Sequence, residues 1–249
     1  DLRADRQPEF TQIDLEMSFV DMEDVLAIGE GYMARVFKEA IGADIQLPLP
    51  RLTYKEAMER YGSDKPDTRF GMEIYDLSET VKGCGFGVFT GALEAGGSVR
   101  GITAKGAVNT LTRKEIDKLT EMVRGIGAKG LAWARIGEDG TIASSFAKFM
   151  TEDEMKAIMA KCGAENGDVI LIVADKVSTT LSVLGALRQT VAKKLDIIPQ
   201  DKYNLLWVVE FPFFDWDEEL GQYVAMHHPF TAPLEECLDY LETDKANVR

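Results

Sequence analysis

Three times in this chain a threonine is followed three positions later by a glutamate: Thr53 and Glu56, Thr112 and Glu115, Thr151 and Glu154. A threonine hydroxyl can accept from the third amide of a new helix while the glutamate reaches back to the threonine amide, so each pair marks a helix start. Apolar runs separate these starts. Val99–Thr103, Leu131–Ile136 and Val169–Ala174 have strand length, and glycines or Glu138-Asp-Gly140 mark their turns. Phe86–Thr90, set among Gly83, Gly85, Gly87 and Gly91, reads as another short strand. Gly163 stops the third capped helix, and an amphipathic helix over Thr180–Leu195 ends in Lys193 and Lys194. Helices and short strands thus alternate from about 72 to 200. That order predicts an α+β unit with helices covering one face of a sheet.

The flanks read differently. Residues 9–19 alternate strictly, with Ile13, Leu15, Met17 and Phe19 on one face and Phe10, Gln12, Asp14 and Glu16 on the other. Period two predicts a half-buried strand. Periodicity alone leaves open whether the polar face is merely solvated or binds something. A helix follows, capped by Asp21 and closed by Gly42, with Val25, Ile28, Tyr32, Val36 and Phe37 at helical spacing. Leu52 and Thr53 begin a short strand or helix, the first threonine-capped helix runs through Arg60, and Tyr61–Asp67 is a turn-rich loop. Near the end, Leu205–Phe211 is a continuous apolar strand. Gln222–His228 is its expected hairpin partner, with the acidic Asp215–Glu219 as the turn.

Several classes of function drop out. No apolar run approaches the ~20 residues of a membrane span. A net charge of -14 argues against RNA or DNA binding through overall charge, although local Arg and Lys clusters remain possible contacts. Cys84, Cys162 and Cys237 form no CxxC pair and no zinc spacing, which suits a reducing compartment and buried thiols. There is no GxGxxG or GxxxxGK[ST], no HExxH and no nucleophile elbow, and the two histidines stand side by side.

The opening stretch, Asp1-Leu-Arg-Ala-Asp-Arg-Gln-Pro-Glu-Phe-Thr-Gln-Ile-Asp-Leu-Glu16, resembles the second half of motif 2 of class II aminoacyl-tRNA synthetases, in the form found in bacterial aspartyl-tRNA synthetases. Further stretches follow in family order. They are Arg60–Asp67, then Gly127–Leu131 and Val173–Asp175 of a GAD-type inserted domain, then Leu206–Pro212 and Ala225–Thr231. The resemblance implies an internal piece of such an enzyme. The catalytic domain would occupy 1–70 and 202–249 as part of an antiparallel sheet. A two-layer α/β sandwich would be inserted over 71–201.

Site roles follow from the same resemblance. Phe10 would stack on adenine and Gln7 would contact ATP. Asp14 would take the substrate ammonium, and Gln12 would position a carbonyl or phosphate. His227, backed by His228, would approach the substrate side-chain carboxylate. Arg3 and Asp5 fall in the loop that meets the tRNA acceptor stem, where for Arg3 a plain solvated role fits equally. The implied activity is ATP-dependent ligation of aspartate to tRNA by a cytoplasmic homodimer, with magnesium ligands outside this chain and no membrane partner. An alternative is a non-catalytic tRNA-binding or assembly module related to the GatB subunit of the tRNA amidotransferase. It leaves Phe10–Glu16 and His227-His228-Pro229 unexplained.

Overall fold

The computed structural model describes residues 8–228 and 230–249, and all three threonine–glutamate pairs open helices in it. The chain divides into two units, Asp1–Pro50 and Arg51–Arg249.

In the first unit, Asp21 caps helix α1 (Met22–Ile41) by accepting from Glu23 and Asp24, and Asp24 returns to the Asp21 amide. Gly42 ends the helix in a left-handed conformation, φ 70°. The alternating stretch before it is not a strand. Residues 9–19 enter no sheet, and Ile13, Leu15 and Phe19 are exposed. A period-two pattern encodes a face, but a strand also needs a neighbour to take its amides and carbonyls. Among the described residues this stretch makes no sheet pairing.

The second unit begins with β1 (Arg51–Thr53) and α2 (Tyr54–Tyr61). Five strands then form one antiparallel sheet: β2 (Tyr75–Asp76), β3 (Ser98–Ala104), β4 (Ala132–Ile136), β5 (Ile142–Ser144) and β6 (Val169–Asp175), in the order β2-β3-β6-β4-β5. Helix α3 is Gly87–Glu94, α4 is Arg113–Ile126, α5 is Glu152–Lys161 and α6 is Val177–Lys194. The α+β class holds. The covering differs from expectation, because helices pack on both faces. Val169, Leu171 and Val173 of β6 join residues of α4 and α6, while Ile170 and Ile172 join Phe89 of α3 and Met155 and Ile158 of α5. A central strand that is apolar on both sides leaves no face for water.

Phe86–Thr90 opens α3, with Phe86 as the N-cap, rather than forming a strand. Short apolar runs do not distinguish the two. Here the Thr90 amide bonds back to the Phe86 carbonyl, and Phe89 is buried on the sheet. The capping boxes at Thr53 and Thr151 have both arms, whereas Thr112 is a one-armed cap. The Glu115 carboxylate bonds Lys118 and reaches across to Lys194 on α6 instead.

Strand β7 (Trp207–Val209) pairs in parallel with β1 and is only half-buried. The hairpin is β8 (Phe214–Asp217) with β9 (Gln222–Ala225), not Leu205–Phe211 with Gln222–His228. The acidic run is part strand and part turn. Asp217 ends β8 and its carboxylate accepts from the Glu219 and Leu220 amides, and Gly221 completes the turn at φ 62°. Among the described residues, no helix is long and apolar enough to cross a membrane.

The backbones approach closely where α2 ends on α6. A Cβ on Gly185 would lie 2.2 Å from the Gly62 carbonyl oxygen, and one on Gly62 would lie 2.1 Å from that of Leu181. Gly185→Ala is therefore expected to destabilise the chain by at least about 1–3 kcal/mol, the usual cost of overpacking. Gly125→Ala in α4, where a Cβ meets nothing within 4 Å, is expected to stabilise it by about 0.4–1 kcal/mol. Urea midpoints of the two variants should move in opposite directions.

A second expectation concerns Glu115. Its hydrogen bonds to Lys118 and Lys194 hold its carboxyl down at about 2. Because the folded value is depressed, the stabilisation is full above the ordinary carboxylate value and is lost as pH falls toward 2. Glu115→Gln should flatten the pH dependence of the denaturation midpoint in that window and nowhere else.

Candidate functional site

A groove of about 730 Å³ opens in the second unit between the loop after α2 and the segment around β7. Asp64, Lys65 and Pro66 form one wall, Asn204, Leu205, Leu206, Val208 and Phe211 the other, and His227 lines it too. Capped helix α2 ends at Gly62 (φ 66°), which turns the chain out into the 63–72 loop. That loop is tied down by charge-assisted bonds. Arg60 grips Glu73 at 2.8 and 2.6 Å, and the Tyr61 hydroxyl donates to the same carboxylate. Arg69 grips Asp67 at 2.9 and 2.7 Å and donates to the Pro199 carbonyl, while the Asn204 amide donates to Thr68. Bidentate pairing of this kind fixes angle as well as distance. The bonds from Arg69 and Arg60 hold the carboxyls of Asp67 and Glu73 below the usual range, so both stay charged. Burial, then the charges of Asp64 and Asp215, push the Tyr54 phenol up.

His227 is half-buried, with its ring edge-on to Phe211 at 5.8 Å, and Phe211 packs in turn on Tyr54 at 5.1 Å. Its Nε2 lies 3.1 Å from the Pro212 carbonyl. A carbonyl only accepts, so Nε2 carries the proton and Nδ1 is left for another partner. His228 is exposed. Its Nδ1 accepts from the Phe230 amide at 3.2 Å, and its ring stands on that of Phe230.

Phe10, Gln12 and Asp14 belong to the first unit, outside any helix or sheet, and all three are exposed. Arg3, Asp5 and Gln7 lie outside the described residues. Sequence reasoning singled out the Arg60–Asp67 stretch but assigned no role to Asp64, Lys65, Asn204 or Phe211. Its one local signal was a polar turn run directly after a capped helix. Among the described residues, no group of three or more His, Cys, Asp or Glu is placed to hold a metal. A hollow of about 580 Å³ between α3, α4 and β4, lined by Phe86, Val88, Leu131 and Ile172, contains none of the expected ligands.

The family model for class II tRNA synthetases (D, K and N) matches residues 1–248. The chain belongs to this family. It is 57% identical, over all 249 residues, to the aspartate–tRNA(Asp/Asn) ligase of Lachnoclostridium phytofermentans, of which it spans 42%. It is 56% identical to the aspartate–tRNA ligase of Agathobacter rectalis and 54% identical to the aspartate–tRNA(Asp/Asn) ligase of Anoxybacillus flavithermus. In both cases the whole chain aligns with 42% of the relative. The chain therefore covers less than half the length of the curated relatives it matches.

The hydrogen-bond pattern fixes which tautomer each neutral ring should adopt. With only two histidines in the chain, both rings can be resolved by long-range ¹H–¹⁵N correlation. As neutral rings both are expected as the Nε2-protonated tautomer, His227 because it donates to Pro212 and His228 because it accepts from Phe230 at Nδ1. An Nδ1-protonated signal for either ring would contradict the arrangement.

Proposed function

We propose that the chain is part of an aspartate–tRNA ligase, which joins aspartate to ATP as aspartyl-adenylate and passes the aspartyl group to the 3′ end of tRNA. The observation that carries this reading is the 57% identity over the entire chain to a ligase of that kind. On this reading residues 1–70 and 202–249 belong to the catalytic domain and 71–201 to an inserted domain. The whole protein works as a cytoplasmic homodimer, with magnesium ligands outside this chain. The reading as a module related to the amidotransferase subunit is not favoured, since the similar proteins named above are ligases.

The first step is attack of the aspartate α-carboxylate oxygen on the α-phosphorus of ATP, with pyrophosphate leaving. No proton need move, so the demands are orientation and charge stabilisation. Phe10 offers a flat apolar surface to adenine, and Gln7 a polar contact to ATP. Asp14 pairs with the substrate ammonium, and Gln12 has both a donor and an acceptor for the reacting carbonyl or phosphate. His227 has its Nε2–H engaged by Pro212, so it can donate to a side-chain carboxylate through Nδ1 only as the imidazolium. A bound carboxylate would itself favour that form. His228 supports the segment through its bond from Phe230. Arg3 and Asp5 would meet the acceptor end of the tRNA.

The test uses the full-length protein that contains this chain. Asp14→Asn removes one charge from a charge-assisted bond worth about 1.5–3 kcal/mol, so the KM for aspartate should rise about 10- to 100-fold while the KM for ATP holds. Aspartate-dependent ATP–pyrophosphate exchange measures both. An unchanged aspartate requirement would overturn the assigned role of Asp14.

A further inference from the structure

Arg188 lies on α6 with 1% of its surface exposed, among the largest fully buried side chains of the molecule. Among the described residues, no carboxylate meets it. Its Nη2 donates to the carbonyls of Asp67 at 3.0 Å and Gly71 at 2.5 Å, and its Nε to that of Met72 at 3.2 Å. The guanidinium also lies over the rings of Phe70 and Tyr61, at 4.5 and 4.9 Å. The nearby carboxylates of Asp67 and Glu73 are taken by Arg69 and Arg60. The buried cation is satisfied by the 67–72 segment, whose turn at Gly71 and Met72 aims two carbonyls at it beside that of Asp67. Both residues have positive φ, 65° and 55°, which for a methionine is a disfavoured conformation. The first end of the same loop, Gly62, is seated on α6 at Gly185. The loop is thus clamped to α6 at both ends, and what projects between the clamps is Asp64, Lys65 and Pro66, the wall of the groove that His227 also lines.

We propose that Arg188 is a positioning residue for the aspartate end of this groove: by fixing the 67–72 turn it sets the wall that faces His227. The proposal rests on the proposed function, in which His227 approaches the substrate side-chain carboxylate. Lysine cannot replace the arginine, since a tetrahedral ammonium neither reaches the same carbonyls in one plane nor stacks between two rings. Misplacing a binding wall by about an ångström can cost up to about 100-fold.

The experiment uses the full-length protein and aspartate-dependent pyrophosphate exchange, with four variants. Arg188→Lys is expected to raise the KM for aspartate about tenfold or more and leave the KM for ATP within twofold. Leu187→Ala, one residue away and wholly buried in the sheet-facing core, serves as the stability control. It should lower the thermal midpoint and leave the KM for aspartate unchanged. Gly71→Val strains the same turn from the loop side, at a site where a Cβ meets nothing within 4 Å. It should reproduce the KM effect, and it decides the matter if Arg188→Lys does not fold. His227→Gln reports on the groove itself. If His227→Gln raises the KM for aspartate while the Arg188 and Gly71 variants lose only stability, the positioning role is overturned and the groove stands. If none of the three moves it, the reading of the groove falls and the proposal with it.

Discussion

Strand β6 is apolar on both faces, and most of the second unit follows from it. Seven consecutive register pairs tie it to β3, and four more tie it to β4. Its side chains alternate between two separate clusters, one with α4 and α6 and one with α3 and α5. Each aliphatic side chain removed from water contributes about 1.5–3 kcal/mol, so neither face can be left bare. Helix α6 starts two residues after β6 ends, and only its sheet-facing side is used by that core. Its remaining surface is free to carry Gly185 and Arg188 against α2 and the 62–72 loop. The core thereby fixes a helix, the helix fixes a loop, and the loop forms one side of a groove.

What was legible in the sequence was what local chemistry decides. Thr53, Thr151 and Asp21 cap helices because a hydroxyl or carboxylate three residues from its target needs no distant partner. Gly42 and Gly62 stop helices for an equally local reason, their left-handed φ. The failures share the opposite property. Phe86–Thr90 could be strand or helix until a neighbour was assigned, and it found a sheet to lie on rather than one to join. Leu205–Phe211 was given the next apolar segment as its partner, but β7 pairs with β1, far away in the chain. Residues 9–19 carry the alternation of a strand and enter no sheet among the described residues. Pattern specifies a face, and pairing decides whether the face becomes a strand.

The site was legible in a different way. Phe10, Asp14 and His227 are proposed on the family resemblance, not on their own chemistry. An exposed phenylalanine or aspartate in an alternating run has no physical mark of a ligand. The groove walls escaped notice because Asp64 and Lys65 look like any polar turn. Arg188 escaped for a further reason. An arginine in an amphipathic helix normally belongs to its wet side, and burial becomes tolerable only where backbone carbonyls of a distant loop converge. Nothing in residues 177–194 announces that loop.

The distribution of charge bears on how such a protein could handle polyanions at all. Segment 71–201 is nearly balanced, with 16 Lys and Arg against 17 Asp and Glu, so almost the whole net charge of -14 resides in 1–70 and 202–249. These are the parts that the proposed function brings to ATP and to the acceptor end of tRNA. An acidic surface repels a phosphate backbone at distances up to the Debye length, roughly 8 Å at physiological salt. On the proposed function, contact with RNA would then rest on a few cations held in place rather than on general attraction. Fixed geometry matters more under those conditions. Arg60 and Arg69 in this region are committed to Glu73 and Asp67, pairs that tie the loop down. The cation in the groove wall, Lys65, pairs with its exposed neighbour Asp64, a contact weak enough to exchange for another anion. In a chain this acidic, the placing of one such lysine depends on the clamps beneath it.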